Sequence, residues 1–331
     1  MRTRADWVYA TRIPKGKVVG RRWRIIRKLG EGGFGAVYKV EEIVTNELAA
    51  LKAEANNKRG NVLRIEAKIL HRLEGKPHVA QLIQTGKKDS YSYIVMTLLG
   101  DSLDKVLRRI GRVCSISSQI RIGIQVLFGL KQLHDAGFIH RDVKPGNLAL
   151  GFHSTEQSRF IHILDFGLAR EYIVVDTDGK TKMRRPRPNV RFRGTLRYCS
   201  ADVQERCEQG RMDDLWCLLY IMVELRGPLP WANFQTLNYY LRPDYLLLYH
   251  VLEKIMVVNG IKFSDPFDWE NDELQCKFCH FLPSALWSSQ QKTESSDEVQ
   301  DLLSTDTECS MESIEENLFP EEVFALDQYG F

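Results

Sequence analysis

The chain has 331 residues, 44% hydrophobic and 27% charged, with a formal net charge of +3. This is ordinary globular composition, and the length suffices for one large or two ordinary domains. The only long apolar run, Leu215–Leu225, is too short to span a bilayer and fits a buried helix, which argues against a membrane segment.

The charge is distributed unevenly along the chain. Residues 284–331 contain twelve Asp or Glu and the single Lys292, so the preceding residues carry about +14. A basic body suits acidic or phosphorylated protein partners, and equally nucleic acid. Seven cysteines, with no apolar leader in residues 1–20, favour a reducing cytosolic or nuclear compartment.

The N-terminal third alternates between basic and strand-like segments. Residues 1–21 are rich in Arg and Lys and predict an arm outside any domain. Trp23–Leu29 and Tyr38–Val44 predict two strands, with G-x-G-x-x-G-x-V between them at 30–37. In a strand-to-helix setting this motif would suggest a dinucleotide site; between two strands it predicts a flap over a triphosphate.

An apolar strand at 48–52 ends in Lys52, and a helix is predicted at 61–73, with Glu66 flanking its apolar stripe. The lysine could be a surface residue and the glutamate a solvated one. Their position after the glycine loop favours an ion pair, because a lysine that holds phosphate oxygens needs a carboxylate to fix it.

Further elements lead to the most informative stretch. A strand at 91–96, a hinge at 97–100 and a helix at 102–109 with Ser102 as its N-cap are predicted. A long amphipathic helix at 116–136 then precedes His140–Asn147.

The sequence His-Arg-Asp-Val-Lys-Pro-Gly-Asn at 140–147 is followed by Asp-Phe-Gly at 165–167. Phosphoryl transfer from ATP needs a group that orients the attacking hydroxyl, a charge that offsets the transferred phosphoryl, and ligands for magnesium. The residues available for these tasks are Asp142, Lys144, Asn147 and Asp165. The two motifs together predict phosphoryl transfer.

After these motifs, residues 171–193 form a segment rich in Lys and Arg, which fits an anionic partner, a nuclear-localisation patch or a solvated loop.

Over residues 22–282 the sequence resembles a eukaryotic protein kinase, and Lys144 indicates the Ser/Thr class. Gly-Thr-Leu-Arg-Tyr-Cys-Ser at 194–200 stands where most kinases have Ala-Pro-Glu, and this form is similar to the casein kinase 1 superfamily. Further motifs are similar to its tau-tubulin kinase branch: Phe192–Thr195, Gly210–Trp216, Leu229–Trp231, Arg242–Tyr245 and Phe267–Glu270.

The resemblance implies a role for each matching residue. Lys52, braced by Glu66, would contact the ATP phosphates beneath the glycine loop. Met96 would lie at the back of the adenine pocket, and Thr97 to Leu99 would bind adenine through backbone groups. The residues expected to bind ATP are Leu29, Gly30, Glu31, Gly32, Gly33, Phe34, Gly35, Val37, Ala50, Lys52, Glu66, Met96, Thr97, Leu99 and Asp165.

The resemblance also implies the catalytic roles. Asp142 would orient the substrate hydroxyl, Lys144 would stabilise the transferred phosphoryl, and Asn147 with Asp165 would hold Mg²⁺. Asp214 would brace the catalytic loop. Arg197 matches the anion site by which this superfamily favours acidic or phosphorylated substrates.

Two departures from the family pattern stand out. Asp202 replaces the Asn that the branch usually has in its Ser-Ile-Asn triplet. Between 231 and 242 about thirty residues are missing, enough for two short helices, where the family has helices G and H. The alternative to an enzyme is therefore a kinase-like scaffold that binds nucleotide or partners without efficient catalysis.

The C-terminal part carries weaker signals. Cys276-Lys277-Phe278-Cys279-His280 resembles a haem-attachment or half-zinc motif, and both interpretations are rejected, since the compartment is reducing and no second Cys/His pair follows. Residues 284–331 are acidic and rich in Ser and Thr, which predicts a disordered tail.

We therefore expect an α+β, two-lobed kinase fold with a β-rich small lobe at 22–96 and a helical large lobe at 97–283 that lacks the helix G/H region. The expected activity is ATP- and Mg²⁺-dependent phosphorylation of Ser or Thr in acidic or primed protein substrates, tubulin or tau by resemblance alone. We expect a monomer in the cytoplasm or nucleus, without nucleic-acid or membrane partners.

Overall fold

The computed structural model describes residues 11–32, 35–56, 62–111, 113–153, 155–175, 178–226, 245–270 and 321–325. Within these residues the chain forms a β-sheet lobe followed by a mainly helical lobe, as the α+β two-lobed kinase fold predicts. No helix among them is long and apolar enough to cross a membrane.

The small lobe is built on a six-stranded antiparallel sheet with the order β1-β2-β3-β4-β6-β5. The strands are β1 (Val18–Val19), β2 (Trp23–Gly32), β3 (Gly35–Glu42), β4 (Leu48–Ala55), β5 (Leu82–Lys87) and β6 (Tyr91–Thr97). Along β3 the side chains alternate between buried and partly buried, as a strand of a one-sided sheet requires. One buried cluster, including Trp23, Tyr38, Leu51 and Tyr93, forms the core of this lobe.

One helix, α1 (Val62–Arg72), completes the small lobe and contacts β5 and β6. The predicted strands at 23–29, 48–52 and 91–96 and the predicted helix at 61–73 are confirmed, with bounds that differ by a few residues.

The large lobe consists of helices and short strands. Its helices are α2 (Leu103–Arg109), α3 (Ile116–Asp135), α4 (Ala201–Gln204), α5 (Arg211–Glu224), α6 (Tyr245–Val258) and α7 (Glu321–Ala325). Its strands are β7 (Phe138–Ile139), β8 (Leu148–Leu150), β9 (Ile161–Ile163), β10 (Arg170–Glu171), β11 (Ile173–Val175) and β12 (Thr181–Met183). Strand β7 pairs with β10, β8 with β9 and β11 with β12.

Helix α3 is the centre of the large lobe, since it is buried along most of its length and contacts both α5 and α6. The Ser115 hydroxyl caps its N-terminus by accepting from Ser118 N at 3.2 Å, and Asp268 accepts from Ser115 N at 2.8 Å. Buried Arg121 stacks on Phe267 at 3.9 Å from the ring centre and donates to nearby carbonyl groups. These contacts fix the N-terminal part of the helix that leads to the catalytic loop.

Several expectations need correction or limitation. Part of the predicted N-terminal arm belongs to the small lobe: β1 extends the sheet, Ile13 is buried, and Tyr38 donates to Thr11 O at 2.6 Å. Ser102 occupies the N-cap position of α2, but its side chain makes no capping hydrogen bond. The gap near 231–242 and the Cys276–His280 motif lie outside the described residues.

The predicted disordered tail is wrong at 321–325, where α7 packs against α6. Phe324 is fully buried, stacked on Tyr249 at 4.5 Å and edge-on to Phe128 at 5.7 Å. The compositional argument overlooked this local pair of apolar residues, Val323 and Phe324, within an acidic stretch.

Candidate active site

The catalytic loop, residues 140–147, is fixed by the buried carboxylate of Asp214 at the start of α5. Asp214 Oδ2 accepts from His140 N at 2.7 Å, and Oδ1 accepts from Arg141 N at 2.8 Å. His134 Nε2 on α3 makes a third contact with this carboxylate at 2.8 Å. The predicted bracing of the loop by Asp214 is therefore confirmed.

This bracing compensates an unfavourable backbone conformation. Arg141 has φ of 69°, a left-handed value that costs a side-chain-bearing residue about 1–3 kcal/mol. Burial raises the pKa of Asp214, but the hydrogen bond and charge of His134, together with the loop's donors, hold it below the ordinary value. Asp214 thus stays ionised, as an acceptor surrounded by donors should.

A second network surrounds the carboxylate of Asp142. Lys144 Nζ donates to Asp142 Oδ2 at 2.7 Å and to Thr195 Oγ1 at 3.0 Å. Thr195 Oγ1 donates in turn to Asp142 Oδ1 at 2.6 Å. The amide nitrogen of Asn147 donates to Asp142 O at 2.9 Å and to its Oδ2 at 3.2 Å. The structure thus brings the three predicted catalytic residues together around one carboxylate.

Lys52 links the two lobes through a pair of carboxylates. Its ammonium donates to Glu66 Oε2 at 2.6 Å and to Asp165 Oδ1 at 2.8 Å. The predicted Lys52–Glu66 pair is confirmed, and the structure adds Asp165 as a second partner.

Burial lowers the pKa of Lys52, but the charges of Glu66 and Asp165 outweigh it and raise the pKa above the ordinary value. The pKa of Asp165 is lowered, because the charge and hydrogen bond of Lys52, together with smaller contributions, exceed the opposing effect of burial. The pKa of Glu66 is raised, since burial dominates there. The lysine therefore remains a cation between the lobes.

Asp165 presents its side chain to the cleft from a left-handed backbone, with φ of 63° and a side chain that is 42% exposed. The following Phe166 is buried and lies 5.5 Å from the His140 ring, which fixes this backbone next to the catalytic loop. Leu164 N donates to Asn147 O at 2.9 Å, so Asn147 and Asp165 lie in neighbouring segments.

These two residues fit a magnesium site. Mg²⁺ bound with nucleotide takes one or two protein oxygens and completes its shell with phosphate oxygens and water. Lys52 donates to one carboxylate oxygen of Asp165, and the Asn147 amide nitrogen donates to Asp142. The second Asp165 oxygen and the Asn147 side-chain carbonyl therefore remain for an ion. Among the described residues, no group of three or more His, Cys, Asp or Glu could hold a metal alone.

The predicted nucleotide-binding residues lie around the sheet and the hinge. Ala50 pairs with Met96 in the β4–β6 register, and both are buried in one apolar cluster. Leu29, Val37 and Leu99 pack against the same cluster.

The glycine stretch forms the β2–β3 hairpin, in which Gly30 and Gly32 belong to β2 and Gly33 and Phe34 lie outside the described residues. Gly35 has φ of 151°, and a Cβ there would lie 2.0 Å from Ala53 O, so the hairpin requires glycine at this position. Glu31 forms an ion pair with Lys28.

At the hinge, Thr97 N donates to Gln81 O at 3.0 Å. Because that N–H is used within the sheet, the Thr97 carbonyl and the backbone of Leu99 are the hinge groups to which a base could bind.

The predicted anion residue, Arg197, lies near this site. It is 68% exposed and lies 2.5 Å from Glu224 on α5, so one carboxylate already balances part of its charge. Sequence reasoning missed Thr195, Arg141 and His134 as site residues. Thr195 could have been found from its place in the Gly194–Ser200 motif, which carries the resemblance to the casein kinase 1 superfamily.

Comparisons with known proteins agree with this geometry. The family model described as "Protein kinase domain" matches residues 23–306. A putative serine/threonine-protein kinase of Caenorhabditis elegans is 44% identical, over 78% of this chain and 84% of the relative. An inactive tau-tubulin kinase of the same species is 35% identical, over 64% of this chain and 86% of the relative. A putative casein kinase I of that species is 32% identical, over 68% of this chain and 66% of the relative.

The kinase fold, the braced catalytic loop and these comparisons lead to one assignment. The chain belongs to the protein kinase family and is a protein serine/threonine kinase.

Proposed function

We propose that the chain transfers the γ-phosphoryl group of ATP to Ser or Thr in acidic or already phosphorylated proteins, as a casein kinase 1 superfamily member of tau-tubulin kinase type. The observation that carries the proposal is the network in which Thr195 and Lys144 both contact the Asp142 carboxylate, at 2.6 and 2.7 Å. In this network Asp142, the proposed proton acceptor, lies beside the Lys144 ammonium, on a loop whose backbone donates to Asp214.

Each group in the network has a distinct task in the proposed reaction. Asp142 orients the substrate hydroxyl and receives its proton, and Lys144 stabilises negative charge on the transferred group. Bound ATP with Mg²⁺ supplies the phosphoryl group and neutralises charge on its phosphates. Asn147 and Asp165 would hold the ion, and Lys52, fixed by Glu66, would hold the phosphate oxygens. The base would bind between Ala50, Met96 and Leu99.

The preference for acidic substrates is supported by charge next to Asp142. Arg193 and Arg197 flank the residue pair Gly194–Thr195, and both side chains are exposed. Exposed Lys180, Lys182, Arg185 and Arg191 extend this basic character along the same segment. Carboxylates or phosphates on a substrate would gain charge-assisted contacts there. A monomeric, cytoplasmic or nuclear enzyme is part of the same proposal.

The competing candidate is a kinase-like scaffold. The observations in its favour are the shortened sequence near 231–242, which departs from the family pattern, and the relative named as an inactive tau-tubulin kinase. The complete set of Lys52, Glu66, Asp142, Asn147 and Asp165 favours the enzyme, since it supplies each kind of group that phosphoryl transfer from ATP requires.

The test is a phosphoryl-transfer assay with radiolabelled ATP and Mg²⁺ on two acceptor peptides, one acidic and one basic around a single Ser. Asp142→Asn is the matched control. We expect the wild type to incorporate phosphate into the acidic peptide, and we expect Asp142→Asn to incorporate at least about a hundredfold less. Equal incorporation by both proteins would favour the scaffold, and a preference for the basic peptide would refute the substrate class.

A further inference from the structure

Glu208 is a buried carboxylate in the short segment between α4 and α5. Its side chain is 3% exposed and forms a two-point ion pair with Arg187. Arg187 Nε donates to Oε2 at 2.6 Å, and Arg187 Nη2 donates to Oε1 at 3.1 Å. Arg187 N donates to the same carboxylate at 3.3 Å, and Arg170 Nη1 lies 3.5 Å from Oε1. Two-point arginine contacts of this kind fix geometry as well as charge.

Four arginines act on one another around this carboxylate. Burial lowers the pKa of Arg141 to about 10, the charges of Arg170, Arg193 and Arg187 act in the same direction, and the charge of Glu208 opposes them. Burial raises the pKa of Glu208, but its contacts with Arg187 and Arg170 hold the pKa below the ordinary value. We call these four arginines and Glu208 the arginine cluster, and Glu208 is its ionised anion.

The arginine cluster connects the segments that form the catalytic site. Arg141 lies between His140 and Asp142, and Arg170, in β10, pairs with Ile139 directly before the catalytic loop. Arg193 O accepts from Gln209 at 3.3 Å, next to Glu208. Arg193 directly precedes Gly194, whose α-carbon faces Arg141 O: a Cβ built there would lie 2.5 Å from that atom. The members of the cluster therefore adjoin both the catalytic loop and the residue pair Gly194–Thr195.

Without an anion, these four positive charges would repel one another, and the repulsion would be least screened at Arg141 and Arg170, which are partly buried. Many kinases supply the anion as a phosphoryl group added to the segment after Asp-Phe-Gly, which is ordered by new arginine contacts. In this chain the hydroxyl-bearing residues between 170 and 195 are Tyr172, Thr177, Thr181 and Thr195. Tyr172 is buried and donates to His134 O at 2.7 Å, and Thr195 is committed to Asp142.

We propose that Glu208 is the built-in counter-anion of the arginine cluster, and that it holds residues 170–175 and 178–195 in their catalytic arrangement without any phosphoryl group. Glu208 is a positioning residue, because it acts on Asp142 through Arg141 and Thr195. The activity test of this inference rests on the proposed function. The hydrogen-exchange test of backbone amides rests on the structure alone.

The experiment compares Glu208→Ala and Glu208→Gln with the wild type. Glu205→Ala is the matched control, because Glu205 is exposed on the same segment. Ala at 208 removes a CH₂–COO⁻ group, and acetate has the size and charge to replace it. We expect a loss of at least about tenfold in kcat/KM for Glu208→Ala, a several-fold recovery in tens of millimolar acetate, and no acetate effect on the wild type or Glu205→Ala. Treatment of the wild type with phosphatase should leave its activity unchanged.

Hydrogen exchange provides the readout that does not need activity. Glu208→Gln, which keeps the shape of the side chain, should raise the exchange rate of amides in 187–195 at least about fivefold. Acetate should restore protection in Glu208→Ala. If the wild type transfers no phosphoryl group, the proposed function fails while this comparison still decides the inference.

Three results would overturn the inference: activity in both 208 variants within about twofold of the wild type, a loss in folded Glu208→Ala that acetate does not reverse, or unchanged exchange in Glu208→Gln. If Glu208→Ala does not fold, Glu208→Gln combined with Arg187→Gln takes its place. The double variant has one cation fewer to balance, so the exchange rates of its amides in 187–195 should lie closer to those of the wild type than the rates of Glu208→Gln do. Equal exchange rates in the single and double variants would count against the proposal.

Discussion

Replacing Thr195 by Val preserves the branched shape of the side chain and removes both hydrogen bonds that fix Asp142 and Lys144. The hydroxyl donates to Asp142 at 2.6 Å and accepts from Lys144 at 3.0 Å. A hydrogen bond to a charged group contributes about 1.5–3 kcal/mol. Because Thr195 is half-buried and water can replace part of each bond, we expect a total loss of about 1.5–3 kcal/mol, or roughly ten- to hundredfold in kcat/KM.

The assay measures kcat and the KM for ATP separately on an acidic peptide. The effect should fall on kcat, since Thr195 lies beside Asp142 and not in the predicted nucleotide pocket. Thr195→Ser should stay within about fivefold of the wild type because it keeps the hydroxyl. Thr181→Val, at an exposed threonine of β12, is the matched control. A Thr195→Val protein within about twofold of the wild type, or one changed only in KM for ATP, would refute the positioning role.

Three further predictions concern stability. Asp214→Asn should lower the free energy of unfolding in urea by about 3–5 kcal/mol, because its amide NH₂ would face one of the buried donors. A loss below about 1 kcal/mol would contradict the bracing role. Burial lowers the pKa of His78 from 6.5 to about 4, so the unfolded chain takes up the proton first as the pH falls. The free energy of unfolding should therefore fall by about 3 kcal/mol between pH 6.5 and pH 4. His78→Asn should show a correspondingly smaller fall, and an equal fall in both proteins would disprove the assignment to His78. Phe324→Ala should lower the free energy of unfolding by about 3 kcal/mol and leave kcat/KM unchanged at low temperature. Glu322→Ala, at an exposed site, should have no effect on stability. Identical melting of the two variants would show that Phe324 is not packed in solution.

The grouping of the predicted catalytic residues could be anticipated because they lie a few positions apart in the sequence. Asp142, Lys144 and Asn147 share one loop, and the spacing itself brings them to one carboxylate. The Lys52–Glu66 pair was predictable for a different reason: a lysine that follows the glycine loop and holds phosphate oxygens needs a carboxylate to fix it, and Glu66 flanks the apolar stripe of α1.

The remaining partners could not be predicted because they come from distant segments. Glu208 carries no local mark that distinguishes it from exposed Glu205, and only the folded chain places it among the arginines. His134 lies in a helix whose apolar stripe gives no reason to expect a contact with Asp214, 80 residues later. The boundary of the small lobe was missed because β1 has two residues, too few for a period to emerge.

The docking of α7 has a consequence for helix α3. Asp268 is attached to the start of α3, and Phe324 is attached to its middle through Phe128. Contacts from two distant parts of the sequence therefore meet on this one helix, and the conformational entropy lost in bringing them together is offset by burial such as that of Phe324. A five-residue helix on its own is not stable in water, so α7 exists only while α3 and α6 are folded, and its melting reports on the helix that leads to the catalytic loop.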